Sequence, residues 1–238
     1  MQLATSFCCT AALIAATCAT AANPPDARPA ALPSFAPSVE DIVQPGWKQV
    51  TLKSGDLDGD AKPDVAVLMR STARDRIKPL PPGSNYPLDD TNPYVLAIGL
   101  ARPNGYDLVY SKRDLFPNET APSHGDDAPD DGSVDIRRGV LTLNFGHLRG
   151  YDRLRFRWDG KAFRLIGLDC AGVTGGEITT LSANYLTRKA RYTHAAISDD
   201  REKASMITIA PAKRPSLDQF DWIEEWSGHD SRGNTLSC

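Results

Sequence analysis

The sequence predicts an all-β fold, either a small divergent β-propeller-like domain or a twisted β-sandwich, with two short helices. Three observations point there. Apolar residues alternate with polar ones over many short runs. Turn signals such as Pro103-Asn104-Gly105, Arg137-Arg138-Gly139 and Asp159-Gly160 separate those runs. Helical signals are confined to two short stretches, Ser38–Asp41 and Ser216–Gln219, each with the residue types of a capped first turn.

Each element can be justified in chain order. Residues 1–22 carry no charged side chain, contain the apolar stretch Ala11-Ala-Leu-Ile-Ala-Ala16 and end near Ala19-Thr-Ala21, a small-x-small cleavage pattern. They read as a signal peptide, and the chain as exported. Acylation at Cys18 is the alternative; it fits less well because Thr17 stands just before the cysteine, where Gly or Ala is expected, and Ala15 three places before it, where a larger aliphatic residue is expected. Residues 23–37 hold five prolines and little to bury, which describes an extended tether. Residues 38–238 form a single β-rich domain, beginning with a short helix ended by Pro45-Gly46. Strands follow at Trp47–Leu52, Val65–Met69, Tyr94–Leu100, Tyr106–Tyr110, Val134–Ile136, Val140–Phe145, Leu154–Trp158, Phe163–Leu168, Ile178–Leu186 and Met206–Ile209. The Leu154–Leu168 hairpin alternates most cleanly, with Leu154, Phe156 and Trp158 on one face and nearby arginines on the other. Near the C-terminus, Trp222 and Trp226 stand one helical turn apart, as core anchors of a helix lying across the sheet.

Asp56-Leu-Asp58-Gly-Asp60-Ala-Lys-Pro-Asp64 places four carboxylates within nine residues. Such charges repel unless a cation lies between them. A hard ion that takes about six to eight oxygens suits a tight loop whose alternate side chains converge, so calcium is the expected ion; a solvated Asp-Gly turn is the other reading. The loop is not that of an EF-hand. That loop needs Gly at its sixth position and a bidentate Glu at its twelfth, where this chain has Ala61 and Val67. The flanking alternation places the loop between strands. A second acidic stretch, Asp126-Asp127-Ala-Pro-Asp130-Asp131-Gly-Ser-Val-Asp135, is spaced irregularly and reads as a solvated loop, with a second ion site or a surface for a basic partner as the alternatives.

Little else points to chemistry. His124, His147, His194 and His229 lie far apart, and no nucleophile elbow, P-loop or C-x-x-C pair is present. Gly172–Gly176 reads as a turn, and Thr187–Tyr192 as a solvated basic turn after a strand. The chain is therefore expected not to be an enzyme. A net charge of −3 offers no basic face for nucleic acid, and no hydrophobic run beyond the leader is long enough to span a bilayer. If the leader is removed with Cys8, Cys9 and Cys18, Cys170 and Cys238 remain, either as a disulfide or as two separate thiols.

Strand, Asp-x-Asp-Gly-Asp-x-x-x-Asp, strand resembles the calcium loop of FG-GAP and VCBS-type repeats. The resemblance implies side-chain oxygens from Asp56, Asp58, Asp60 and Asp64 and the carbonyl of Lys62 as calcium ligands. Arg155–Asp169 and Leu181–Thr187 extend it, over most of residues 47–209, to periplasmic FG-GAP-like proteins of Gram-negative bacteria. Some of these are immunity proteins against peptidoglycan-hydrolase effectors of bacteria-killing type IV secretion systems. That implies a periplasmic, calcium-binding inhibitor with a protein partner, a peptidoglycan hydrolase; a non-inhibitory calcium-stabilised envelope module is the alternative. Ser182-Ala-Asn184-Tyr185 is similar to the Ser-Gly-x-x-Tyr loop of periplasmic lysozyme inhibitors, with Ala183 in place of the glycine. The residues themselves read as strand, with Tyr185 packed and Ser182 bonded to backbone.

Overall fold

The run Val65-Ala-Val-Leu-Met69 is apolar at every position, a pattern suited to a strand covered on both faces. In the computed structural model it lies in β3 (Asp64–Ser71), all eight residues of which are buried. The structure describes residues 32–84, 87–113, 115–116, 128–199, 201–220 and 228–236. The described strands form antiparallel sheets of five, seven and two strands.

The five-stranded sheet has the order β1-β7-β6-β3-β2. Here β1 is Phe35–Ala36, β2 Trp47–Gly55, β6 Tyr94–Arg102 and β7 Gly105–Arg113. The seven-stranded sheet is a plain meander, β14-β13-β12-β11-β10-β9-β8. Its strands are β8 Val134–Arg137, β9 Val140–His147, β10 Gly150–Trp158, β11 Phe163–Thr174, β12 Glu177–Asn184, β13 Lys189–Ala196 and β14 Lys203–Thr208. A two-stranded ribbon pairs β4 (Ile77–Pro79) with β5 (Leu88–Asp90).

One apolar core is shared by the two large sheets. Leu68, Leu96 and Ile98 from the first meet Leu141, Leu143, Leu154, Phe156 and Leu181 from the second. This is the layering of a β-sandwich, and five and seven strands are not the separate four-stranded blades of a propeller. A second core lies on the other face of the five-stranded sheet, where Ala36 and Ile42, with Leu32, Val39, Val43 and Trp47 beside them, cover Val65, Val67, Met69, Val95 and Ala97. The tether reading therefore stops short of residue 32. Leu32–Pro37 belong to the folded unit, and β1 pairs with β7.

Several expectations need correction. Residues 38–46 form turns rather than a helix: the Ser38 hydroxyl donates to Asp41 Oδ2 at 2.7 Å, and the Ile42 N–H reaches the Val39 carbonyl. Pro45 leaves too little chain for more. At the other end only a 3-10 turn, Leu217–Gln219, follows Ser216; its backbone N–H donates to Gln219 Oε1 at 2.9 Å. Trp222 and Trp226 lie outside the described residues. The basic segment after β12 is largely strand, since Lys189–Tyr192 open β13. β12 ends at Asn184, so Tyr185 is buried just beyond it. Ser182 donates to the carboxylate of Asp169 at 2.7 Å rather than to backbone. The glycine turn between β11 and β12 is confined to Gly175-Gly176, and Gly172–Thr174, expected in the turn, extend β11 instead.

The β10–β11 hairpin closes at Asp159-Gly160. Asp159 accepts from Arg164 Nε at 2.8 Å and from the N–H groups of Lys161 and Ala162. The Arg164 hydrogen bond, with those two amides, holds its carboxyl down at about 2. A depressed folded-state pKa means that this contribution to stability is full above the unfolded value of roughly 3.9 and is lost as pH falls through about 2. Protection of the Lys161 and Ala162 amides from exchange, taken relative to the unfolded chain at the same pH, should fall across that acid window; Asp159→Ala should show the low protection already at neutral pH.

Candidate metal centre

The acidic loop joins β2 to β3 at the place where the two large sheets approach each other. Gly55 is pressed against β8: a Cβ there would lie 2.6 Å from Ile136 Cγ2, so a larger residue would push the loop away from the second sheet. Among the described residues the loop brings together one carboxylate oxygen each from Asp56, Asp58 and Asp64, all within 4.8 Å of one another.

Asp64 is the fixed point. It is fully buried, with Oδ2 accepting the N–H of Leu57 at 2.7 Å and of Asp58 at 3.3 Å, while Oδ1 accepts the N–H of Ala101 at 2.7 Å. One side chain thus closes the acidic loop and ties it to the end of β6. Burial pushes its carboxyl pKa up; the amides of Ala101 and Leu57 oppose this, and the charge of Asp58 adds to it. Asp56 organises the outer part of the loop through the N–H groups of Gly59 (2.7 Å) and Ala61 (3.1 Å). Asp58 accepts from the Asp60 N–H and lies 3.5 Å from Arg102 Nη1. Each carboxylate oxygen still has lone-pair capacity beyond these bonds.

Asp60 stands apart. It accepts from both the N–H and the ammonium of Lys62, at 2.8 and 2.7 Å, and it is not in the converging group. The Lys62 contacts, first of all the side-chain bond, hold its carboxyl below the usual range. Of the expected ligands the structure therefore assembles three, Asp56, Asp58 and Asp64. Asp60 would reach an ion only by releasing an exposed lysine, and Lys62 would contribute its carbonyl from the same stretch. The donor set is all oxygen, three carboxylates with one arginine at their edge, and this suits a hard divalent cation.

Ala61, whose residue type argued against an EF-hand, occupies the left-handed region at φ 65°. The loop takes the backbone conformation that favours glycine there, at a cost of about 1 kcal/mol. Ala61→Gly should raise stability by about 0.5–1 kcal/mol, read as a higher denaturation midpoint; an unchanged or lower midpoint would mean that the loop relaxes out of this conformation.

Two groups were invisible in the sequence reading. Arg102 reaches Asp58 across 44 positions. A depression of about 440 Å³ beside the loop is walled by Asp56 and Asp58 on one side and by Arg138, Arg157 and Trp158 on the other. The arginine alternation of β10 was the available signal, but nothing in it showed which turn the strand end would face.

In the second acidic stretch, Asp131 accepts from Thr51 Oγ1 at 2.7 Å and from Lys53 Nζ at 2.8 Å, which ties the loop to β2. Asp126 and Asp127 lie outside the described residues. Cys170 is buried and disulfide-bonded; Cys238 lies outside the described residues. No described helix is long and apolar enough to cross a membrane. No protein-family model, curated protein or solved structure matches this chain.

Proposed function

We propose that this chain is an exported, calcium-stabilised β domain that binds a protein partner, and that the partner is a peptidoglycan hydrolase which it inhibits in the periplasm. The observation that carries the calcium reading is the convergence of Asp56, Asp58 and Asp64 within 4.8 Å. Carboxylates gathered on one centre from a single loop suit shared ligation of an ion, whereas acid and base groups that act on a substrate face each other across it. The disulfide of Cys170 supports export, because such bonds persist in oxidising compartments. The uncharged leader at residues 1–22 supports it independently. The inhibitory task rests on the resemblance to periplasmic immunity proteins, and a loop already stiffened by calcium would lose less entropy on binding.

The test is a titration of the mature chain into purified cell-wall hydrolases, with loss of peptidoglycan turnover as the readout, in calcium and in chelator. Abolition of one hydrolase at a near-equimolar ratio, in calcium only, is the expected result. Full hydrolase activity throughout, alongside clear stabilisation of the chain by calcium, would leave the non-inhibitory envelope module as the function. Turnover by the chain alone would make it an enzyme.

A further inference from the structure

The outer face of the seven-stranded sheet faces solvent, and its middle is a shallow groove of about 560 Å³ crossing β8 to β11. Five arginines line it, Arg137, Arg138, Arg153, Arg155 and Arg157, against two carboxylates, Asp135 and Asp169. Arg138 and Arg157 also wall the depression beside the acidic loop, so the two hollows run into each other.

The arginines are held in place. Arg155 Nη2 donates to Asp169 Oδ1 at 2.9 Å, and Ser182 donates to the same oxygen. Arg155 Nε is buried with no hydrogen-bond partner, an uncompensated donor in the groove floor that asks for an explanation. Gly167 makes room for this guanidinium, since a Cβ there would lie 2.8 Å from Nε. Arg153 donates to Asn144 Oδ1 at 2.8 Å and lies 5.5 Å from the centre of the Tyr151 ring. Arg138 takes the left-handed backbone at φ 53° in the β8–β9 turn, where a glycine or asparagine would sit without strain. Neither Arg138 nor Arg157 is ion-paired among the described residues. Backbone strain spent on placing an unpaired arginine in a positive groove is the kind of outlier from which a binding role is inferred.

We infer that this arginine groove docks an extended, carboxylate-bearing segment of a partner protein. Charge complementarity selects an acidic occupant, and guanidinium forks match carboxylates two bonds at a time. Arg153, Arg155 and Arg157 occupy alternate positions of one strand, about 6.5–7 Å apart. An extended peptide repeats its own side chains at the same spacing, so acidic residues at every second position fall on successive arginines. Among the described residues the lining of this groove holds no aromatic ring to stack on sugars, Trp158 walling only the adjoining hollow beside the acidic loop. The inference does not depend on the partner being a hydrolase or on the ion.

The experiment is isothermal titration of the full chain with an oligoglutamate peptide of about ten residues at low and raised salt, with an oligogalacturonate of similar charge in parallel. Saturable binding of the peptide is expected, weakening as salt rises and weaker by about five- to tenfold in Arg138→Gly and Arg157→Gln. Arg138→Gly removes the guanidinium while relieving its backbone, so a well-folded variant with reduced binding would tie the effect to the side chain. Arg201→Gln, outside the groove, should bind as the original chain does. Absence of saturable binding at low salt, equal loss in Arg201→Gln, or oligogalacturonate bound as well as or better than the peptide would each overturn the assignment.

Discussion

Asp64→Ala should destabilise the fold by about 3–5 kcal/mol and lower the melting temperature by on the order of 10 °C. The carboxylate is fully buried and accepts three backbone N–H groups, from Leu57, Asp58 and Ala101. Alanine leaves those donors without acceptors and opens a void at the junction of the acidic loop with β6. Asp64→Asn should fall between: its amide oxygen still accepts, but its NH₂ group faces donors. Replacement of Asp60, an exposed residue bonded to Lys62, should change the metal-free melting temperature little. A melt of Asp64→Ala within about 2 °C of the original would show that the loop re-bonds without its anchor.

Calcium should stabilise the chain by about 1.5–3 kcal/mol at an ion concentration ten to a hundred times the dissociation constant, raising the melting temperature by roughly 5 °C over the same protein in chelator. The effect should vanish in Asp56→Asn/Asp58→Asn. It should also depend on pH in a definite direction. Asp64 has its folded-state pKa raised, by burial first and by Asp58 in addition. Its contribution to the metal-free fold is therefore full below the unfolded carboxyl value of roughly 3.9 and declines as pH rises through the elevated one. A bound dication favours the ionised form and removes that decline. The calcium and chelator stability curves should coincide in acid and separate as pH rises; curves that stay parallel across that range would take Asp64 out of the ion's coordination.

How much of this was legible beforehand depended on whether a residue's partner was local. The β10–β11 hairpin was plain because Leu154, Phe156 and Trp158 alternate with arginines and Asp159-Gly160 closes the turn by itself. The acidic loop was plain for the same reason, all its carboxylates lying within nine residues. β13 was missed because its core-facing positions, Ala190 and Tyr192, offer one small and one partly polar side chain amid the basic residues Arg188, Lys189 and Arg191, too little to register as an apolar face. β1 was hidden in a proline-rich segment; its pairing comes from β7, not from its own two residues. Asp60 was grouped with the other carboxylates by spacing alone, and the sequence had no means of showing that Lys62 would hold it from both backbone and side chain. Arg102 beside Asp58 and Ala101 on Asp64 are products of the β3–β6 pairing, which alignment of loop residues does not reveal.

The two sheets differ in how much of their surface is free to change. The first is sealed on both sides, by the shared core within and by residues 32–47 without, so polar replacements along β3 and β6 have no harmless position. The second opens much of its outer face to solvent, and there many alternate residues have few structural partners to answer to. Variation among descendants of this sequence would then be unevenly distributed, with nearly silent strands in one layer and alternately silent and fast-changing positions in the other. Arg157 would be the informative exception: Arg153 and Arg155 have Asn144 and Asp169 to hold them, whereas Arg157, with no ion pair among the described residues, would stay fixed only if a partner holds it.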